Sequence, residues 1–218
     1  MELQFVAMEK FIFLVRQFDA SGIIVTENDD TFFPMGLVPQ LVKVDINGIL
    51  GSITGAEEAR IRQSMETVYV FEGERYFVKG TIVKKSDMNG ITTIVAGYGN
   101  YGYCGDGGPA INACFEEPKG LAFNNNSDLF IADQYNNVVR KVDINGIIST
   151  YAGRAGVSGY SGDGGLAINA SLDYPTGLAV NNEGELLIAD RFNRRIRKVD
   201  NSGIISTLYA DLFYPNDL

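Results

Sequence analysis

YCGDGGPAINACFEEPKGLAFNN at residues 103–125 returns 57 positions later as YSGDGGLAINASLDYPTGLAVNN at residues 160–182. The alignment runs on without gaps. DLFIADQYNNVVRKVDINGIIST (128–150) pairs with ELLIADRFNRRIRKVDNSGIIST (185–207), and 29 of the 48 positions in 103–150 are identical in 160–207. Shared composition cannot produce such a match. The chain contains a duplicated structural unit, and self-similarity at a fixed period marks a repeat architecture.

Fainter copies extend outward. The D-x-x-G-I marker of Asp143–Ile147 and Asp200–Ile204 recurs at Asp19–Ile23, Asp45–Ile49 and Asp87–Ile91. The P-x-G-L marker of Pro118–Leu121 and Pro175–Leu178 recurs at Pro34–Leu37, and as PNDL at Pro215–Leu218. From Pro175 to Pro215 is 40 residues, so the extra 17 around SGDGG are an insertion in a shorter unit. Each unit reads as four short strands. In the last copy these are GLAV (177–180), ELLIAD (185–190), Arg194–Asp200 and Ile204–Tyr209, separated by Asn-, Asp- and Gly-rich turns. No helical period is sustained over three turns. A four-stranded antiparallel unit with two apolar faces cannot bury itself alone, whereas units packed radially bury one another. The expected fold is all-β, a β-propeller of four-stranded blades. RKVD in VVRKVD and RIRKVD breaks strict alternation, which predicts a bulge or Lys and Arg stems snorkelling along a blade edge.

P-x-G-L-A-V, N-x-x-G-x-L-x-I-A-D and N-x-R-I-R-K-V-D together resemble the NHL repeat, a propeller-blade family. The joining of CGDGG to RKVDINGIIST resembles the NHL propeller of teneurins and of bacterial and protist proteins. The likeness covers 98–218 and fades over 1–97. It implies a propeller fold and a role in binding a protein or glycan partner. Two full blades are expected at 98–153 and 154–210, with a divergent blade at 50–97 whose middle strands are TVYVFEG and YFVKGTIVKKSD. Residues 1–49 read as degenerate partial blades: 10–32 as an outer hairpin, and 33–49 as a blade that has lost its second strand. Residues 211–218 begin a further blade or supply a closing strand. Three to four blades fall short of the six common in this family, so an incomplete ring, an open arc, is expected. Such an arc exposes terminal faces and favours self-association.

Composition narrows the function. The 218 residues contain no histidine, which removes His-ligated metals, Ser-His-Asp and Cys-His nucleophile systems and imidazole acid–base chemistry. The net charge is 18 − 27 = −9, shared by both halves, and disfavours nucleic-acid binding over the whole surface. Arg191, Arg194, Arg195, Arg197 and Lys198 form a local basic run, but the parallel copy holds only Arg140 and Lys141, so an RNA face is disfavoured. No apolar run approaches a membrane span. Phe11–Val15 is too short for a signal-peptide core and lies between Lys10 and Arg16, so no export signal is expected. No compartment is assigned.

The candidate binding face comprises the GDGG segments and the loops between second and third strands. It carries Asp106, Asp133, Asn136, Asp163, Asp190, Arg191, Asn193 and Arg194. These oxygens could in principle ligate calcium, yet D-G-G lacks the alternating donors of a calcium loop. Turn capping by Asp and positive φ at Gly account for them. No metal, no cofactor and no catalytic residue are expected. Cys104 and Cys114 both become Ser in the next unit, at Ser161 and Ser171; joint replacement is compatible with a disulfide or with two free thiols. The expected function is a non-catalytic interaction scaffold with a protein partner. Two alternatives remain: a metal-dependent propeller hydrolase or lactonase, and a truncated repeat product without independent activity.

Overall fold

A computed structural model describes residues 68–71, 73–87 and 89–210, together with the backbone of four strands at 24–25, 31–35, 40–44 and 50–52. Four sheets, each of four antiparallel strands, follow one another along the chain. Sheet I holds β1 (Ile24–Val25), β2 (Thr31–Met35), β3 (Gln40–Val44) and β4 (Leu50–Ser52). Sheet II holds β5 (Val68–Phe71), β6 (Glu74–Lys79), β7 (Ile82–Ser86) and β8 (Thr92–Ala96). Sheet III holds β9 (Pro118–Phe123), β10 (Leu129–Asp133), β11 (Val138–Val142) and β12 (Ile148–Ala152). Sheet IV holds β13 (Pro175–Val180), β14 (Leu186–Asp190), β15 (Arg195–Val199) and β16 (Ile205–Tyr209). Among the described residues helical structure is confined to three single 3-10 turns, and no helix is long and apolar enough to cross a membrane.

The first strands β1, β5, β9 and β13 stand side by side in that order, so the sheets fan outward from a common axis as propeller blades in an open arc. The blade-to-blade seams are apolar. Between sheets II and III, Tyr69, Tyr76, Val83 and Ala96 meet Leu121, Leu129, Ile131, Val142 and Ile148. Between III and IV, Ala122, Phe130, Ala132, Val139 and Ala152 meet Leu178, Leu186, Ile188, Val199 and Ile205. Burying an aliphatic side chain of this size is worth about 1.5–3 kcal/mol, so the seams supply most of the cohesion.

Both sequence markers have a local cause. In D-x-x-G-I the Asp143 carboxylate accepts the backbone N–H of Asn145 and Ile147, while Gly146 takes φ 74°, closing the turn between third and fourth strands. Asp87 and Asp200 do the same for their own turns. In P-x-G-L the glycine allows close approach: a Cβ on Gly120 would overlap the carbonyl oxygen of Thr176 on β13. The copies at Asp19–Ile23, Asp45–Ile49 and Pro215–Leu218 lie outside the described residues.

The N-terminal half departs from expectation. Pro34 does not open a first strand: it pairs with Leu41 inside β2, the second strand of sheet I. The second strand over 33–49 is therefore not lost, the described part of 10–32 supplies the first strand and the start of the second rather than an outer hairpin, and Leu50–Ser52 belongs to sheet I rather than to the next blade. Likewise TVYVFEG supplies β5, the first strand of sheet II, and not a middle one. A Pro-x-Gly-Leu pattern is short enough to recur in a strand of different rank, and here strand order follows turn positions instead.

The seam glycine gives a test. Gly120→Ala should lower stability by about 1–3 kcal/mol, since backbone must shift to admit the methyl group. Urea denaturation of the variant beside the parent chain checks this, and an unchanged midpoint would contradict the close β9–β13 approach.

Candidate binding rim and its arginine clamp

The inserted segment before sheet III reaches back to both neighbouring sheets. Gly107 donates its N–H to the Ile148 carbonyl, and Ile148 donates to Gly108, so GDGG pairs with β12, the outer edge of sheet III. Gly97, at the end of β8, donates to the Ala110 carbonyl, and Ala110 donates to Gly146. Ala110, Ala113 and Phe115 fill the II–III seam. The same bonds recur before sheet IV through Gly164, Gly165, Ala167 and Gly153. An edge strand with unpaired N–H and C=O groups is prone to stray pairing, and the insertion occupies it.

One side chain locks this arrangement. Arg140 on β11 is fully buried, with its guanidinium directed at two carboxylates: Asp106 of the insertion and Asp133 at the end of β10, the latter at 3.4 Å. It also donates to the carbonyls of Cys104, at 3.0 Å, and Cys114, at 3.4 Å. Its cationic centre lies 4.6 Å from the Tyr103 ring, while its Nε has no acceptor. Asp106 further accepts the Thr150 N–H and hydroxyl and the Tyr103 hydroxyl. Asp133 accepts the Glu116 N–H at 2.8 Å and the Asn136 amide at 2.9 Å. Sheet IV repeats the clamp: Arg197 joins Asp163 at 2.7 Å and Asp190 at 3.3 Å, and donates to the carbonyls of Ser161 and Ser171. In sheet II the matching register positions are Lys84 and Lys79, two like charges, so the arginine–aspartate pair within the sheet is not repeated there.

Burial pushes the Asp133 carboxyl up to about 6, against the lowering effect of the Glu116 amide, Asn136 and Arg140. Asp190 is raised for the same reason. Asp106 and Asp163 go the other way. Burial alone would raise them, but the Thr150 and Thr207 hydroxyls, the tyrosine hydroxyls and the arginines outweigh it.

The expected face thus divides. Asp133, Asn136 and Asp190 are buried, and their polar atoms are engaged in the clamp and its turn. Asp106 and Asp163 reach the surface at the outer edge with one oxygen committed to arginine. Half-buried Asn193 closes the turn after β14 by donating to Asp190 and to the Gly159 carbonyl. Arg191 and Arg194 lie at the rim. Among the described residues no three acidic or cysteine side chains converge to hold a metal ion. The bulge expected in RKVD is present as register shifts at Val139/Arg140 and Ile196/Arg197. Snorkelling describes Lys141 and Lys198, which reach Asp128 and Glu185; Arg140 and Arg197 are wholly inside. Cys104 and Cys114 are disulfide-bonded with Cα atoms 4.9 Å apart, which removes the free-thiol alternative; Ser161 donates to Ser171 at 3.0 Å in their place.

Sequence reasoning missed the aromatic strip on this rim. Tyr135 and Phe192 hold equivalent places in the two units and are about half exposed, at 50% and 47%. Tyr174 lies between them, with ring centroids 4.7 Å from Tyr135 and 4.5 Å from Phe192. The Arg191 guanidinium is 5.8 Å from the Phe192 ring. Aromatics at 135 and 192 in otherwise polar turns were the available signal.

Radial four-stranded sheets with these seams define an NHL-type propeller segment. The sequence profile of the Teneurin NHL domain matches residues 99–160 and 156–212, more than half of the chain, and the protein belongs to that family. Human Teneurin-1 is 30% identical over 135 residues, covering 54% of this chain and 5% of that protein. Human Teneurin-4 is 39% identical over 100 residues, covering 40% of this chain and 4% of that protein. The chain therefore spans about one-twentieth of the length of these curated relatives. Among solved structures, a protein of unknown function from Bacteroides thetaiotaomicron superposes with TM-score 0.58 at 20% identity, covering 81% of this chain and 46% of that one. An auxiliary nutrient binding protein from the same organism gives 0.51 at 20% identity, covering 86% and 48%. These two share the fold.

Two outcomes test the clamp. Arg140→Met should cost about 3–5 kcal/mol in urea denaturation, because Asp133 is left buried without its cation; a loss below about 1 kcal/mol, the range of a surface pair, would contradict it. The second is pH dependence. Asp133 and Asp190 bind protons more tightly folded than unfolded, so they add stability as pH falls from about 6 toward 4. Asp106, Asp163, Glu74 and Glu185 are lowered, so their stabilisation is lost as pH drops further. The urea midpoint should peak on the acid side of neutrality and then fall; a steady decline from pH 7 would contradict the raised Asp133.

Proposed function

We propose that this chain is a non-catalytic scaffold that binds a protein partner through the rim carrying Tyr135, Tyr174 and Phe192. The observation that carries the proposal is the continuous aromatic strip across sheets III and IV, half exposed and flanked by Arg191 and Arg194. Aromatic rings give large contact area at low conformational cost, and Tyr and Arg dominate the energetics of protein interfaces. Membership of the teneurin NHL family supports a scaffold role. The rim stands on a rigid base: Tyr135 donates its N–H to the Glu116 carbonyl, and Phe192 to that of Asp173. On this reading Asp106, Asp133, Asn136, Asp163, Asp190 and Asn193 hold the rim in place, while Arg191 and Arg194 take part in contact.

Peptides selected from a random displayed library on the intact chain provide a probe. Their affinity should drop about tenfold or more in Tyr135→Ala/Phe192→Ala, with the urea midpoint unchanged. Binders indifferent to both substitutions would remove the rim from the proposal.

A further inference from the structure

The rim of sheet IV carries cations that its sister unit does without. Arg191, Arg194 and Arg195 stand, at the offset of 57, where sheet III has Gln134, Asn137 and Val138. Arg154 follows Gly153 as Tyr98 follows Gly97, and the two make the same contact. Tyr98 meets the Cys114 sulfur at 3.5 Å, and Arg154 donates to the Ser171 hydroxyl at 2.8 Å. Four uncharged residues complete the rim in one unit, so the four charges of the next are not required by the fold.

Two of these arginines belong to one cluster. The Arg195 guanidinium lies 4.1 Å from the centre of the Tyr160 ring and donates to the Asn193 carbonyl at 2.7 Å. Tyr160 leads into Ser161, whose hydroxyl donates to Ser171, the acceptor of Arg154. Each of these partners is neutral. Among the described residues neither Arg154 nor Arg195 pairs with a carboxylate, because the acids around them are committed: Asp163 and Asp190 to Arg197, and Glu185 to Lys198. The cluster also borders the aromatic strip. Gly156 donates to the Asn136 carbonyl, and Gly159 accepts from the Asn193 amide. The connection that carries Arg154 therefore runs from the turn holding Tyr135 to the turn holding Phe192.

We propose that the partner segment docking on this rim is an acidic peptide, its carboxylates taken by Arg154 and Arg195. This rests on the rim reading above and names the chemistry of the partner. A guanidinium pairs with a carboxylate through two parallel hydrogen bonds, and a partner carboxylate supplies the charge that both arginines lack. The cation excess is one unit wide, in a chain of net charge −9. A short acidic segment matches that extent, whereas a long phosphate or sulfate chain would run on over acidic surface and be repelled. Complementary charge of this kind speeds encounter and weakens with salt.

Peptides selected from a random displayed library on the intact chain should be enriched in Asp and Glu. Their affinity, read by fluorescence anisotropy, should drop about tenfold or more in Arg154→Gln/Arg195→Gln. Raising salt from about 50 to about 500 mM should weaken binding to the parent far more than to this variant. Arg154→Gln alone leaves Arg195 on Tyr160 and should keep the urea midpoint while losing about threefold or more in affinity, so the test stands even where the double variant does not fold. Lys141→Gln, which removes a cation engaged with Asp128, should leave affinity unchanged; an equal loss there would overturn the proposal. Neutral binders that need Tyr135 and Phe192 but ignore the arginines and salt would overturn the acidic partner and keep the aromatic rim. Acidic binders that need the arginines but ignore Tyr135 and Phe192 would support the acidic partner and overturn the aromatic reading alone. Tighter capture of a heparin-derived oligosaccharide or a single-stranded RNA than of the selected peptides would also overturn the proposal.

Discussion

A guanidinium with no exposure to water, held between two carboxylates from different parts of the chain, organises each full unit. Arg140 and Arg197 lie in the core directly after the register shifts at Val139/Arg140 and Ile196/Arg197. An isolated charge there would be expensive, so the fold must deliver Asp133 and Asp190 from the sheet and Asp106 and Asp163 from the insertion. Because one acid is local and the other arrives through 34 residues of chain, the pair forms only when strand, turn and insertion are all in register. The clamp therefore acts as a specificity device as much as a source of stability. Replacing it with aliphatic packing would keep the seam and lose the instruction that places GDGG on the outer strand.

Hydrophobic seams and clamps divide the work. The seams are non-directional and tolerate a family of apolar side chains, as Phe130 against Leu187 illustrates across the two units. The clamps tolerate no such drift: Asp106, Asp133, Asn136 and Arg140 each reappear unchanged in the second unit. Sheet II shows the alternative, with lysines at both register positions and its core carried by Tyr69, Tyr76 and Val83.

Much of the fold was legible because the duplication is nearly literal. Four strands per unit, Asp-x-x-Gly turns and the bulge in RKVD all follow from period and turn chemistry. Strand rank in the N-terminal half was not legible, since Pro34 sits in a second strand while carrying a first-strand motif. The arginines were misread as edge residues, because a Val-Arg-Lys-Val run does not say which cation faces inward. The available clue was that the arginine persists where its neighbours change: Asn137, Val138 and Val139 become Arg194, Arg195 and Ile196, and Arg140 stays. On the rim, Asp133 and Asn136 were rightly read as a side-chain-closed turn. Tyr135 and Phe192 were visible in their turns, but the continuity of the strip was not, because Tyr174 replaces Glu117 and its contact with the two other rings exists only after folding.

The two units close the same small loop by different bonds, a cystine at Cys104–Cys114 and a hydroxyl pair at Ser161–Ser171. Reducing conditions would loosen only the former. Its sibling shows the loop geometry standing without covalent help, so thiol redox state tunes the resilience of sheet III and its insertion while leaving their shape alone. Loss of the cystine would therefore leave the loop before sheet III in place with less covalent restraint.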